Sequence, residues 1–346
     1  MELPAEPFQR LMATAEGGSG LVSLAAFACR LANRDAPIKL VELIADPASL
    51  FPALQLGLPD GAETHAAMIR RAELDLRDAA TALALERREP DVQLLDLPVL
   101  HTNAPVAVAH AADSFDADLV VLAAHHPGQR WACRLDPEEI AYATRRTLLY
   151  VPSQLLALDE PPLARALIAV DGSASAYAAL QLAVGCVPAE VELRVIYVVE
   201  RTLHVGGQGL THLFEDDRAS TLARAEALVA SCGSRVSIAA LATYDELDDI
   251  ASTILREARG WGADLLVIGL QGRRMRTQAL PGSVASHALR DALCPVLVAA
   301  PAKRATDQAM ATCASHSAGG GGETSVRSYS GPRKRRATRA FGSAPR

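Results

Sequence analysis

Residues 264–283 read DLLVIGLQGRRMRTQALPGS. An acidic residue opens a short run of Leu, Val and Ile, and the run stops at Gly269. Gly272, Gly282 and Ser283 follow. A run of four to eight apolar residues bounded by turn signals is the pattern of a strand buried on both faces. The segment after it, VASHALRDAL, carries Val284, Ala288, Leu289 and Ala292 on one helical face. The stretch therefore reads strand, glycine loop, helix, with Gly282 and Ser283 at the helix start.

The same order recurs along the chain. ALIAV, LRVIYVV, VSIAAL, DLLVIG and PVLVA are five strand-like runs between residues 166 and 299, separated by helical stretches. In DELDDIASTILREARG (245–260), Ile250, Ile254, Leu255 and Ala258 share a face. Its aspartates stand near the start and Arg256 and Arg259 near the end, as the helix dipole favours. Gly260 is placed to cap it. Alternating β and α elements predict a doubly wound α/β fold with a parallel sheet.

A second copy precedes the first. RLMATAEG (10–17) matches RALIAVDG (165–172), IKLVELIAD matches VELRVIYVVE, and DADLVVLAAHH (116–126) matches GADLLVIGLQG (262–272). Each half closes on an apolar run, LLYV and PVLVAA. A repeat spaced by about 150 residues is a duplicated domain, since solenoid repeats are far shorter. Asn103 and Pro105 are predicted as cap and first-turn residues of an N-terminal-half helix. We expect two five-stranded domains, residues 1–160 and 161–302, and a tail, 303–346. The tail lacks hydrophobic periodicity, contains SAGGGGETS and RKRR, and is expected to be disordered.

Composition limits the function. The chain has 346 residues, half of them hydrophobic, and a net charge of −6. Because the tail is basic, the body is the more acidic, which argues against specific nucleic-acid binding. No apolar run reaches the ~20 residues of a membrane span. The N-terminus has no signal-peptide pattern. Six cysteines without C-x-x-C spacing read as free thiols in a reducing, cytoplasmic setting. His125 and His126 are adjacent and lack further ligands at metal spacing, so no metal site is expected.

In this fold class ligands bind beyond the carboxyl ends of the strands. There, Gly282 and Ser283 would offer free N–H groups at the positive end of a helix, suited to an anion. Gly269 and Gly272 would let the loop fold back over it. Arg273, Arg274 and Arg276 add positive charge. Taken alone, the glycines are equally open to a reading as turns and caps.

The spacing G-x-x-G, nine residues, G-S resembles the nucleotide-binding signature of the universal stress protein family. Gly269, Gly272, Gly282 and Ser283 fill its places. AVDGS (169–173), YVVE (197–200) and CPVLVAAP (294–301) resemble that family too. The chain looks like a tandem member with a degenerate N-terminal domain. The resemblance implies the adenine nucleotide alpha hydrolase-like fold and ATP as ligand; if Mg²⁺ accompanies the nucleotide, the Ser283 hydroxyl could help to hold it. It implies that Asp171, beside Ala169 and Val170, holds the ribose and that Val198 meets adenine. Gly272, Gly282, Ser283 and Val284 would contact phosphates, and Gln271 stands where some relatives carry arginine. An Asp-Gly turn bonded to itself is the other reading of Asp171.

In the N-terminal half, Glu16 replaces the aspartate, and Ala123, His126, Asp136 and Pro137 stand at the glycine and serine places. The helix start DPEE is expected to be capped by its own carboxylates, which disfavours phosphate. This predicts ATP in the C-terminal domain only, acting by conformational signalling, with slow hydrolysis left open. There is no P-loop sequence and no identified base. The alternative is a stress-protein scaffold that binds only other proteins. A dinucleotide-binding dehydrogenase is disfavoured, because the turn after the first strand of the C-terminal half, DGSAS, has one glycine. VGGQG (205–209) reads as a loop, and 202–218 as either a lid or a connection. The closing runs are expected to be edge strands that pair the two halves within one chain. A homodimer of whole chains is compatible with this.

Overall fold

Ten short runs rich in Val, Leu and Ile pair into one sheet in the computed structural model. It describes residues 8–16, 20–45, 61–85, 88–123, 135–156, 158, 162–200, 207–230, 232–244, 248–273 and 282–300. The strands are β1 (Leu11–Glu16), β2 (Ile38–Ile44), β3 (Asp91–Asp96), β4 (Leu119–Ala123), β5 (Thr147–Val151), β6 (Arg165–Ala169), β7 (Glu192–Val199), β8 (Val236–Ala242), β9 (Leu265–Gly269) and β10 (Val296–Ala299). Their order is β3-β2-β1-β4-β5-β10-β9-β6-β7-β8. Each half therefore has the doubly wound order expected, with chain crossovers diverging at β1/β4 and at β6/β9.

Every pairing is parallel except β5 with β10, which run antiparallel with Leu297 opposite Leu149 and Val296 opposite Tyr150. The two closing strands pair across the halves and so stand at the centre of the sheet. Leu148, Leu149, Val296 and Leu297 are fully buried. A free edge would have exposed these side chains, each worth about 1.5–3 kcal/mol when buried. The outer edges are β3 and β8, whose side chains are half-buried or exposed along most of their length. VSIAAL is thus less covered than a run buried on both faces.

Helices cover both faces of the sheet. On one lie α1 (Leu21–Cys29), α2 (Gly61–Leu85), α6 (Ala174–Cys186) and α7 (Gly207–Val229). They share a core that includes Leu24, Phe27, Leu83, Leu180 and Ala225. On the other lie α4 (Ala104–Phe115), α5 (Pro137–Thr144), α8 (Ile250–Trp261) and α9 (Ser283–Asp291), packed through residues such as Val108, Ile140, Ile254 and Leu289. A short α3 (Leu97–Leu100) precedes α4.

Local signals fix most helix ends. Asn103 caps α4, accepting a bond from the Val106 N–H at 3.0 Å, with Pro105 in its first turn. α8 continues through Gly260, and Gly262, at φ +70°, is the residue that ends it. Gly262 can adopt the left-handed conformation, and its N–H reaches the Arg259 carbonyl. The 205–209 stretch is helical from Gly207 onward. The tail, His125, His126, Cys133, Cys313, Arg274 and Arg276 lie outside the described residues. Cys186 and Cys294 are buried free thiols, pushed by that burial up to about 12 and about 11. Among the described residues no helix is long and apolar enough to cross a membrane.

Candidate functional site

The ends of β6, β7 and β9 and the start of α9 surround a cavity of about 670 Å³. It lies at the crossover between β6 and β9, where this sheet order opens a crevice. Ala169, Val170, Asp171, Val198, Gly269, Gln271, Gly272, Gly282, Ser283 and Val284 all line it. The fold brings these ten residues, spread over 116 positions, around one cavity.

The turn after β6 is built by short polar side chains. Asp171 accepts the Ser173 N–H on Oδ1 at 2.9 Å and the Arg273 N–H on Oδ2 at 2.9 Å. The Asp-Gly turn bond therefore exists, and the same carboxylate faces the cavity. Gly172 sits at φ +81°, where a side chain would be strained. Ser173 caps α6, accepting the Ala176 N–H at 3.1 Å, and its hydroxyl donates to the Gln271 carbonyl at 3.3 Å. Turn and glycine loop are thereby tied together.

The glycines do different work. At Gly269 a Cβ would lie 2.7 Å from the Ser175 carbonyl carbon and 2.8 Å from the Ala176 nitrogen. This position is glycine because the start of α6 packs against the end of β9. At Gly272 a Cβ would sit 3.0 Å from Asp171 Oδ2. Gly282 is the N-cap of α9 and donates its own N–H to the Leu270 carbonyl at 2.8 Å. The Gly282 amide is thus engaged within the loop. Among the described residues no hydrogen bond takes up the N–H groups of Ser283, Val284 and Ala285, which form the first turn of α9. That turn is the amide-rich, positive end of the cavity.

Part of the lining is apolar: Val198 and Ile196 of β7 and Ile250 and Ile254 of α8. α8 is held at its start by Asp249, which accepts the Ser252 N–H at 2.6 Å. Asp248 accepts the Tyr244 N–H at 2.7 Å and pairs with Arg256 at 2.7 Å. Arg256 above all, then the Tyr244 N–H, holds the Asp248 carboxyl down at about 2.

Tyr197, Glu200, Asp217 and Arg273 also face the cavity. The Arg273 guanidinium meets both carboxylate oxygens of Asp217, and the Tyr197 hydroxyl donates to Asp217 Oδ2 at 3.3 Å. Burial, then Asp217, raises the Tyr197 phenol further above its ordinary value, against a smaller opposing effect of Arg273. Asp217 was missed by sequence reasoning, although a signal existed. Thr221, Ala225 and Val229 form the buried stripe of α7, and one turn back along that stripe is position 217. Ile250 and Ile254 were read as core and serve also as cavity wall.

The matching place in the N-terminal half is built differently. Asp136 caps α5, accepting the Glu138 N–H at 2.8 Å and the Glu139 N–H at 3.4 Å, with Pro137 opening the helix. Glu16 at the end of β1 accepts the Leu135 N–H; burial foremost pushes its carboxyl up to about 8, and Glu42 adds to the rise. Ala123 ends β4. Among the described residues no group of His, Cys, Asp or Glu has the arrangement of a metal site.

Residues 163–300 match the model of the universal stress protein family. A universal stress protein from Archaeoglobus fulgidus DSM 4304 is 14% identical, with 84% of this chain and 97% of that one aligned at a TM-score of 0.55. A Pseudomonas aeruginosa UCBPP-PA14 protein assigned to the universal stress proteins is also 14% identical, with 90% and 98% aligned at 0.54. At these identities the likeness is one of fold, and it extends over both halves. No curated protein matches the chain.

Proposed function

We infer, from the match of residues 163–300 to the universal stress protein family model, that this half binds an adenine nucleotide, ATP, and serves a stress response through that binding. The observation that carries the reading is the mixed lining of one cavity. The first-turn amides of Ser283, Val284 and Ala285, which no described residue takes up, the apolar side chains of Val198, Ile250 and Ile254, and the Asp171 carboxylate meet around one cavity. Phosphates suit the first, a flat base the second, and ribose hydroxyls would donate to the third. The volume, about 670 Å³, is in the range of small-molecule sites. The fit is supported by Gly272, where a Cβ would crowd Asp171 and narrow the cradle. Mg²⁺ arriving with the nucleotide would find the Ser283 hydroxyl beside the phosphates.

One nucleotide per chain is the stoichiometry this reading expects. In the N-terminal half, Asp136 takes the helix amides that a phosphate would use, and places negative charge there. Native mass spectrometry of the purified chain, with ATP added, tests both points. A single bound nucleotide supports the reading, and two would assign the N-terminal half a site as well. Absence of binding in calorimetry and in thermal melting would favour a scaffold that works through protein contacts alone.

A further inference from the structure

Arg273 is the one cation among the described residues that line the cavity. Its guanidinium is bound to Asp217 in the two-point geometry that guanidinium offers equally to carboxylate and to phosphate. The pair spans from the loop after β9 to α7, on the side of the cavity that holds Asp171 and Gly272. Its path is specified by the chain. The Arg273 N–H is fixed on Asp171 Oδ2. A Cβ at Gly172 would lie 3.2 Å from Arg273 Cζ and 2.8 Å from Thr221 Oγ1. A side chain at that turn would crowd the arginine's path, and the positive φ of Gly172 favours glycine there.

The charge around the cavity makes this pairing consequential. Among the described lining residues, Asp171 and Asp217 bring carboxylates close to the single guanidinium of Arg273. Arg273, turned from Asp217 to a polyphosphate, would offset part of that negative charge. Both side chains are partly exposed, 39% and 29%, so water screens the pair and the exchange is cheap. Asp217 would keep the Tyr197 hydroxyl as a donor after the exchange.

We propose that Asp217 competes with ligand phosphate for the Arg273 guanidinium and thereby sets the charge class the site accepts. This rests on the nucleotide reading of the same cavity. A ligand carrying a di- or triphosphate displaces the carboxylate, and an uncharged nucleoside gains nothing from Arg273.

Calorimetric titration of ATP, inorganic tripolyphosphate and adenosine into the full chain tests this, with Asp217→Asn, Asp217→Ala and Arg273→Met alongside. Both Asp217 variants should bind ATP and tripolyphosphate about tenfold more tightly than wild type, roughly 1.4 kcal/mol. Adenosine should change less than about twofold on the same free-energy scale. In the Arg273→Met background, Asp217→Asn should have little effect beyond removing a repulsive charge. If wild type binds ATP and neither Asp217 variant binds it more tightly, the competition is overturned and the nucleotide reading stands. If neither wild type nor the Asp217 variants, checked as folded by melting, bind ATP or tripolyphosphate, the nucleotide reading falls and the competition with it.

Discussion

Glu138, in the first turn of α5, accepts a hydrogen bond from the Ser286 hydroxyl, in the second turn of α9, at 2.9 Å. Arg290, one turn further along α9, lies 3.6 Å from the same carboxylate. The half whose helix start is closed by Asp136 thus grips the helix whose start forms the amide end of the cavity. Glu138→Ala and Ser286→Ala should each lower stability by about 1 kcal/mol, the typical net value of such a bond. In a double-mutant cycle by urea denaturation the pair should cost little more than either alone. Strict additivity would show that the contact carries no energy.

Gly282→Asp converts the C-terminal helix start into a copy of the N-terminal one. Gly282 has φ −68° and ψ 157°, which any residue adopts, and Asp136 caps α5 from similar angles. The variant should fold with stability within ~0.5 kcal/mol of wild type, since aspartate caps about as well as glycine or better. Its carboxylate would then occupy the amides of α9 and repel phosphate. The expected result is an unchanged melting temperature without ATP and a lost upward shift with it. A retained shift would remove the amide turn from the proposed site.

Gly269→Ala acts on the fold. The new methyl would meet main-chain atoms of Ser175 and Ala176 at 2.7–2.8 Å, and main chain cannot swing aside as a flexible side chain can. A loss of about 1–3 kcal/mol is expected, read by thermal melting. A neutral effect would mean that α6 can withdraw from β9 at no cost.

Glu16 gives the N-terminal half a pH dependence. Its carboxyl is raised from 4.5 to about 8, so the folded chain binds a proton there that the unfolded chain has released. Stability should therefore fall as pH rises from about 4.5 to about 8, and level off beyond. Glu16→Gln keeps an acceptor for the Leu135 N–H and removes the ionisation. Relative to wild type, the variant should gain stability at pH 8.5 and show little difference at pH 5, by denaturant unfolding. Equal differences at both pH values would place Glu16 in a better solvated setting.

Much of this fold was written locally. Runs such as LRVIYVV and DLLVIG became β7 and β9 because β-branched and leucine-rich segments flanked by turn residues have few other ways to be buried. Asn103 and Asp136 announced the starts of α4 and α5, since a cap bonds within three residues of itself. Gly260 was the wrong cap by two positions, because either glycine satisfies the sequence pattern and packing selected Gly262.

What tertiary structure alone decided depends on sheet order. The closing runs are expected to pair the halves, and β5 and β10 do meet; the antiparallel register that sets Leu297 opposite Leu149 was not legible in the string. Asp217 reaches Arg273 across 56 residues, and Glu138 reaches Ser286 across 148. Gly269, which looked like part of an anion loop, is also fixed by contact with Ser175, far off in sequence. Local propensity and spacing are properties of neighbouring residues and can be read from the string. A charge pair or steric contact between distant segments exists only once the sheet has chosen its order, and sequence spacing carries no trace of it.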